Sequence, residues 1–344
     1  MARARRGGGR RRGRLRRRHR RGATRPLHRR RVRDRRRVHR PHHHPDGAAL
    51  MTEVILTGTG VPHPTPGRAG PGALVRHGRV ALQFDAGRGT VMRLADAGTT
   101  PAFLSAVLLT HIHSDHLVDL ADVTMTRWLQ QQLHQTGPLH IVATDGDAAE
   151  FVEHMFDIWG NDIRLRTEHV GTTPPEFVLH TFTTPTTPTE VWRSADGEVI
   201  VEAVAVRHQP VHDAVAYRVR TPDGVVVISG DTRVCDEVEQ LAAGADVLVH
   251  EACRATAMGD AISGTVFETI FSYHADSVPL GGLAQRAGVK HLVLTHLIPS
   301  PRDDAEEQGF ADDLRRGGFS GEITVGRDLD VVRIGPDGVQ VIRQ

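Results

Sequence analysis

The stretch Thr110-His111-Ile112-His113-Ser114-Asp115-His116, entered from the apolar run Ala106-Val107-Leu108-Leu109, decides how this chain is read. The run is short, continuous and bounded by polar residues, which predicts a buried strand feeding a loop. That loop carries three imidazoles and one carboxylate. An extended exit from the strand sets His111 and His113 on one face, and a turn at Asp115 aims that carboxylate and His116 at a neighbouring point. A single histidine is more often hydrogen-bonded at a core edge than bound to an ion. Four ionisable groups packed this tightly behind a strand reverse that expectation, because burying them without a metal leaves polar atoms unpaired at a cost of several kcal/mol. The cluster has donor atoms enough for two ions.

Outside this stretch the chain divides by charge. Residues 1–50 hold 21 arginines against Asp34 and Asp46, a net +19. The whole chain carries +2, so residues 51–344 carry −17. The Arg-rich segment lacks apolar periodicity and reads as a disordered extension, with Met51-Thr52-Glu53-Val54-Ile55-Leu56 as the natural start of the folded part. A basic tail of this kind could also neutralise phosphates or serve targeting. His42-His43-His44 within it reads as a solvated tract. Residues 51–344 are then expected to form one hydrolase domain. Two cysteines, Cys235 and Cys253, are too few and too far apart for a disulfide framework, which suits the cytoplasm. No apolar run approaches the roughly 20 residues of a membrane span. A homodimer is compatible with this composition.

From Met51 onward, Val54–Gly60 reads as a first strand ending in a glycine turn, and 73–76 with 80–84 as a hairpin. Asp85-Ala86-Gly87-Arg88-Gly89-Thr90 suits a tight turn into a helix, where Asp85 either orients a metal-binding histidine or caps the helix. A helix is expected over 117–132, a strand over 139–143, a helix over 148–159, and irregular strand and loop over 167–189 covering the active-site face. Strands at 199–206 and 216–219 flank His208 and His212, which compete as ligands. Val225–Thr232 is a strand ending in Gly230-Asp231-Thr232, where the Asp231 carboxylate can bridge two cations or cap a helix at 234–243. Strands at 245–252 and 291–299 follow, the second delivering His296 to a loop. Helices at 278–287 and 305–316 and strands near 323–325, 330–334 and 339–342 complete the chain.

The His-x-His-x-Asp-His pattern resembles the signature of the metallo-β-lactamase superfamily. That resemblance implies an α/β fold, the four-layer αββα sandwich, with a dinuclear zinc site at one edge. Further stretches are similar to the ribonuclease Z and arylsulfatase-type branch: Asp85-Ala86-Gly87, Gly230-Asp231-Thr232, His250-Glu251-Ala252, His274 and Leu294-Thr295-His296. The spacing supports His111, His113, Asp115, His116, His208, Asp231 and His296 as a ligand set. The resemblance implies its division: His111, His113 and His208 on one ion, Asp115, His116 and His296 on the other, Asp231 bridging, and His208 rather than His212 as ligand. Nitrogen and oxygen donors suit two zinc ions best, with manganese or iron also accommodated. Such a pair generates a hydroxide near neutral pH, which Asp115 can orient. The resemblance further implies His274 as proton donor to the leaving oxygen, with Glu251 holding its imidazole charged. A helix N-terminal role for His274 is the alternative.

The substrate expected from these features is a small phosphate, sulfate or carboxylic ester. Ribonuclease Z resembles this chain in its motifs but grips transfer RNA with a basic Gly-Pro-rich arm. Between His116 and His208 this chain has no lysine and no such arm. An acidic body is a poor platform for phosphates, so RNA is the second expectation. A non-catalytic metal-binding module is the third; it would have no need of a proton donor.

Overall fold

The computed structural model describes residues 51–336 and 338–343. The Arg-rich extension over residues 1–50, with its His42–His44 tract, lies outside the described residues. The strands run in chain order as β1 (Thr52–Gly58), β2 (Gly72–His77), β3 (Val80–Phe84), β4 (Ala106–Leu108), β5 (Leu139–Thr144), β6 (Phe177–Phe182), β7 (Thr189–Arg193), β8 (Ile200–Ala205), β9 (Val215–Thr221), β10 (Gly224–Ile228), β11 (Val247–Cys253), β12 (His291–Ile298), β13 (Glu322–Val325), β14 (Val331–Gly335) and β15 (Gly338–Ile342). They form two sheets, ordered β15-β14-β1-β2-β3-β4-β5-β6 and β13-β12-β11-β10-β9-β8-β7. Helices α1 (Thr90–Asp96), α2 (Ser114–Leu117), α3 (Leu120–His134), α4 (Asp147–His154) and α5 (Gly160–Val170) follow the first half of the chain. Helices α6 (Asp236–Leu241), α7 (Ala255–Met258), α8 (Val266–Phe271), α9 (Ser277–Arg286) and α10 (Asp304–Arg316) belong to the second.

Period-2 alternation explains the layering, since it gives each strand two apolar faces. Val54, Leu56, Val75, Leu82, Phe84 and Leu108 of the first sheet meet Val201, Tyr217, Val219, Val226, Val249 and Val293 of the second. The alternate residues Ile55, Leu74, Val107 and Ile141 pack under Leu94, Leu120, Val123 and Val152 of α1, α3 and α4. On the far side Val227, Leu248, Leu292 and Leu294 pack under Leu241, Leu280, Leu283, Phe310 and Leu314 of α6, α9 and α10. The fold is the expected four-layer αββα sandwich. Each such aliphatic side chain, fully buried, contributes roughly 1.5–3 kcal/mol.

Tyr217 couples the sheets at the metal motif. Its ring is fully buried against Phe84, with centroids 5.5 Å apart, and its hydroxyl donates to the Leu109 carbonyl at 2.5 Å. The Val215 amide donates to the Thr110 carbonyl at 2.9 Å, so β9 holds the motif loop at two adjacent points. Tyr217→Phe keeps the ring and strands the Leu109 carbonyl. It is expected to lower stability by about 1–3 kcal/mol, the cost of an unsatisfied buried acceptor. Urea titration checks this; an unchanged midpoint would show that the bond contributes nothing.

Several boundaries differ from the sequence reading. The helix expected over 117–132 is two, α2 within the metal motif and α3 from Leu120 to His134. The helix expected over 148–159 stops at His154, and a 3-10 turn at Asp157–Trp159 leads into α5. Helix α5 and the regular edge strand β6 replace part of the irregular segment expected over 167–189. None of the α5 residues is buried, so the apolar periodicity by which helices are recognised is absent there. Its Arg164–Glu168 and Asp162–Arg166 pairs supply local support instead.

Candidate metal centre

The motif loop leaves β4 at Leu109 and closes as α2, so His111 and His113 precede the helix while Asp115 and His116 lie in it. His208 stands just after β8, and Asp231 just after β10. His296 is delivered differently. Strand β12 does not end before it: Glu251 pairs with Thr295 and Ala252 with Leu297, leaving His296 as the extra residue of a bulge at φ 43°. A bulge re-aims one side chain without ending the strand, and here it turns His296 toward the other histidines.

All seven residues meet at one edge of the sandwich. Donor atoms of His111, His113, His208 and Asp231 lie within 4.8 Å of one another, as do those of Asp115, His116 and His296. Asp231 stands between the sets: Oδ1 is 3.3 Å from His116 Nε2, and Oδ2 is 3.3 Å from His296 Nε2 and 3.9 Å from both His111 Nε2 and His208 Nε2. His212 is exposed and outside both sets.

The donor chemistry fits bound cations. His111 Nε2, Asp115 Oδ2, His116 Nε2, Asp231 Oδ1 and both nitrogens of His296 are buried without a hydrogen-bond partner. Orphaned lone pairs converging in this way are costly unless a cation accepts them. Burial, reinforced by the charge of His116, holds the His111 imidazole well below the ordinary histidine pKa; burial and the neighbouring histidines lower His113 and His208 as well. Neutral rings of this kind are the form that ligates. Burial would raise Asp231, but the imidazoles of His296 and His116 outweigh it and hold the carboxyl well below the usual range. For His116 burial is outweighed by Asp231 and Asp85, which hold it well above the ordinary value; a cation there takes the place of the proton.

A supporting layer fixes these groups. Asp85 accepts from His116 Nδ1 at 2.7 Å and from the Thr110 amide and hydroxyl at 2.8 Å each. The cap of α1 is Gly89, so the helix-cap role considered for Asp85 is not the one it plays. Similarly Cys235 precedes α6, and Asp231 is not its cap. Two glycines permit the close approach. A Cβ at Gly87 would lie 2.5 Å from the Asp115 carbonyl, and one at Gly230 would lie 2.7 Å from Thr110 Cβ.

Glu251 and His274 form a second pair beside the cluster. Glu251 is fully buried on β11; its Oε1 accepts from His274 Nδ1 and from the Thr232 amide, both at 2.8 Å. Burial lowers the His274 pKa, but the Glu251 charge and hydrogen bond overcome it and push the imidazole up to about 9. His274 stacks on His296 at 5.4 Å, with a donor nitrogen within 4.8 Å of Asp231 and His296 donors. Helix α9 begins at Ser277 with Asp276 before it, so His274 is not its N-terminal residue.

The β-lactamase superfamily domain matches residues 82–297, which span strands of both sheets and every residue of the cluster. Ribonuclease Z of Mycobacterium bovis (strain BCG / Pasteur 1173P2) is 41% identical over 288 residues, covering 83% of this chain and 99% of that protein. The chain belongs to the ribonuclease Z family of the β-lactamase superfamily. Ribonuclease Z of Mycobacterium tuberculosis (strain ATCC 25618 / H37Rv) is 39% identical over the same shares. Among solved structures, a metallo-β-lactamase fold protein from Bacillus subtilis superposes with TM-score 0.63 at 23% identity, covering 82% of this chain and 99% of that one. Human tRNase Z, short form, superposes with TM-score 0.57 at 23% identity over the same shares. As a member of this family the chain is a metal-dependent hydrolase of ester bonds. The comparisons favour the RNA alternative over the small-ester reading placed first on charge. A net charge sums the whole body, whereas activity is carried by the site.

Proposed function

We propose that this protein is a ribonuclease Z-type endoribonuclease that hydrolyses a phosphodiester at the 3′ side of precursor tRNA. The observation carrying this reading is the match to ribonuclease Z along 99% of the relative's length. The donor geometry supports two ions, proposed as zinc: His111, His113 and His208 would hold one and Asp115, His116 and His296 the other, with Asp231 between the two sets. When bound, such ions would supply a water-derived nucleophile near neutral pH and offset charge on the phosphate oxygens. Asp115 orients the attacking water. His274, with Nδ1 donated to Glu251, presents Nε2 to the leaving oxygen and gives it a proton as the phosphorus–oxygen bond breaks. The test is incubation of the full-length protein with a precursor tRNA bearing a 3′ trailer; a single cut at the trailer boundary is expected. Turnover of aryl phosphodiesters without any cut would return the small-ester reading to first place.

Glu251→Gln removes the charge that raises His274, leaving burial to lower it. The alkaline limb of the pH–rate profile, expected near pH 9 from the raised pKa, should therefore move to lower pH. An unmoved limb would dissociate Glu251 from the proton donor. The hydrolase domain is proposed to be residues 51–344. Deleting residues 1–50 should leave the thermal midpoint and small-ester turnover unchanged, because that stretch has no apolar period with which to join a core. A large fall in midpoint would contradict this.

A further inference from the structure

Beyond the metal cluster, Tyr273 stands at the junction between the exposed helix α8 and the proton-donor candidate. None of the α8 residues is buried. Tyr273 follows two residues later, and its ring stands 5.3 Å from that of His208 at 86° and 5.1 Å from that of His274 at 47°. Its backbone carbonyl accepts from His208 Nδ1 at 3.2 Å, which ties the segment to a metal-ligand candidate. The chain has only two tyrosines, and they differ in kind. Tyr217 is fully buried with its hydroxyl bonded, whereas Tyr273 is partly exposed and its hydroxyl makes no hydrogen bond among the described residues. A partly exposed ring held against two imidazoles leaves aromatic surface beside the candidate metal edge.

The contact such a surface offers does not depend on charge. The body carries −17 over residues 51–344, and the Arg164 and Arg166 cations of α5 are each paired with an acid one turn away. Stacking of a base on an aromatic ring is indifferent to net charge and tolerant of sequence.

We propose that Tyr273 is a substrate-positioning residue on which the base of a nucleotide flanking the scissile phosphate stacks, an inference that rests on the RNA reading above. Phenylalanine or tryptophan should serve in its place, since the face and not the hydroxyl is used. The experiment compares full-length wild type, Tyr273→Ala, Tyr273→Phe and Tyr273→Trp on a precursor tRNA and on versions with an abasic site on either side of the cut. Tyr273→Ala should lower kcat/KM by roughly 5- to 150-fold, the range for loss of one base–aromatic stack, with metal content unchanged. One abasic substrate should cost wild type a similar factor and cost Tyr273→Ala little more, because the two changes remove the same contact. Equal losses for Tyr273→Ala on intact and both abasic substrates, loss of metal, or failure of Tyr273→Phe to retain activity would overturn the assignment. Should wild type not cut precursor tRNA at all, the RNA reading fails by itself. Tyr273 is then judged on bis(p-nitrophenyl) phosphate against methyl p-nitrophenyl phosphate: a loss confined to the bis-aryl ester upholds aromatic stacking, and equal losses reject it.

Discussion

Asp231→Ala is expected to release at least one of the two proposed metal ions and to lower ester hydrolysis by roughly 10²–10³-fold or more, at least the cost of one lost electrostatic contact to the reacting oxygens. The expectation comes from position. Asp231 reaches His116 with one oxygen and His296 with the other, each at 3.3 Å, and its Oδ2 lies 3.9 Å from His111 and His208. Removing it therefore damages both donor sets at once. It also removes the carboxylate that offsets the charge of several crowded imidazoles and of the proposed cations. Elemental analysis of metal-replete protein gives the count, and turnover of an aryl phosphodiester gives the rate. Asp231→Asn preserves the volume, so a shared loss in both variants assigns the effect to charge and not to a cavity. Retention of two ions with full activity in Asp231→Ala would remove the bridging role.

His274→Ala should behave differently, keeping both ions while slowing hydrolysis by roughly 10²–10⁴-fold, the range for loss of a general acid. Its Nδ1 is committed to Glu251 at 2.8 Å, and the imidazole pKa near 9 keeps the ring protonated at neutral pH. A protonated ring donates and does not ligate. The loss should shrink for nitrophenolate leaving groups, which need little protonation in the transition state. Ligand variants should lose activity on good and poor leaving groups alike. A uniform loss across the leaving-group series, or metal loss from His274→Ala, would move His274 into the donor set with Asp231 and His296.

The sequence signal was strongest where a function is written into adjacent residues. The run from Ala106 through His116 combines a strand signal with donors at fixed spacing, and both survive folding because they depend on local geometry. It was weaker where an element has no buried face. Helix α5 carries no buried residue, so nothing in its pattern of apolar positions marks it as a helix. Net charge ranks the substrate classes wrongly for a related reason, since that of residues 51–344 averages over surface far from the reacting edge.

Sequence alone determined most strands and helices, through apolar runs and turn residues, and determined the donor inventory, through histidines and aspartates placed beside those strands; the layered architecture followed from the resemblance of the His-x-His-x-Asp-His pattern. Tertiary structure decided what each donor faces. His296 enters the site because a bulge opposite Glu251 and Ala252 rotates it out of the β12 ladder, an event set by pairing between strands more than 30 residues apart. Asp85 turns toward His116, Glu251 toward His274, and Tyr217 toward the Leu109 carbonyl across separations of 31, 23 and 108 residues. Such contacts depend on register and on the packing of one sheet against the other, and a strand's own residues carry neither.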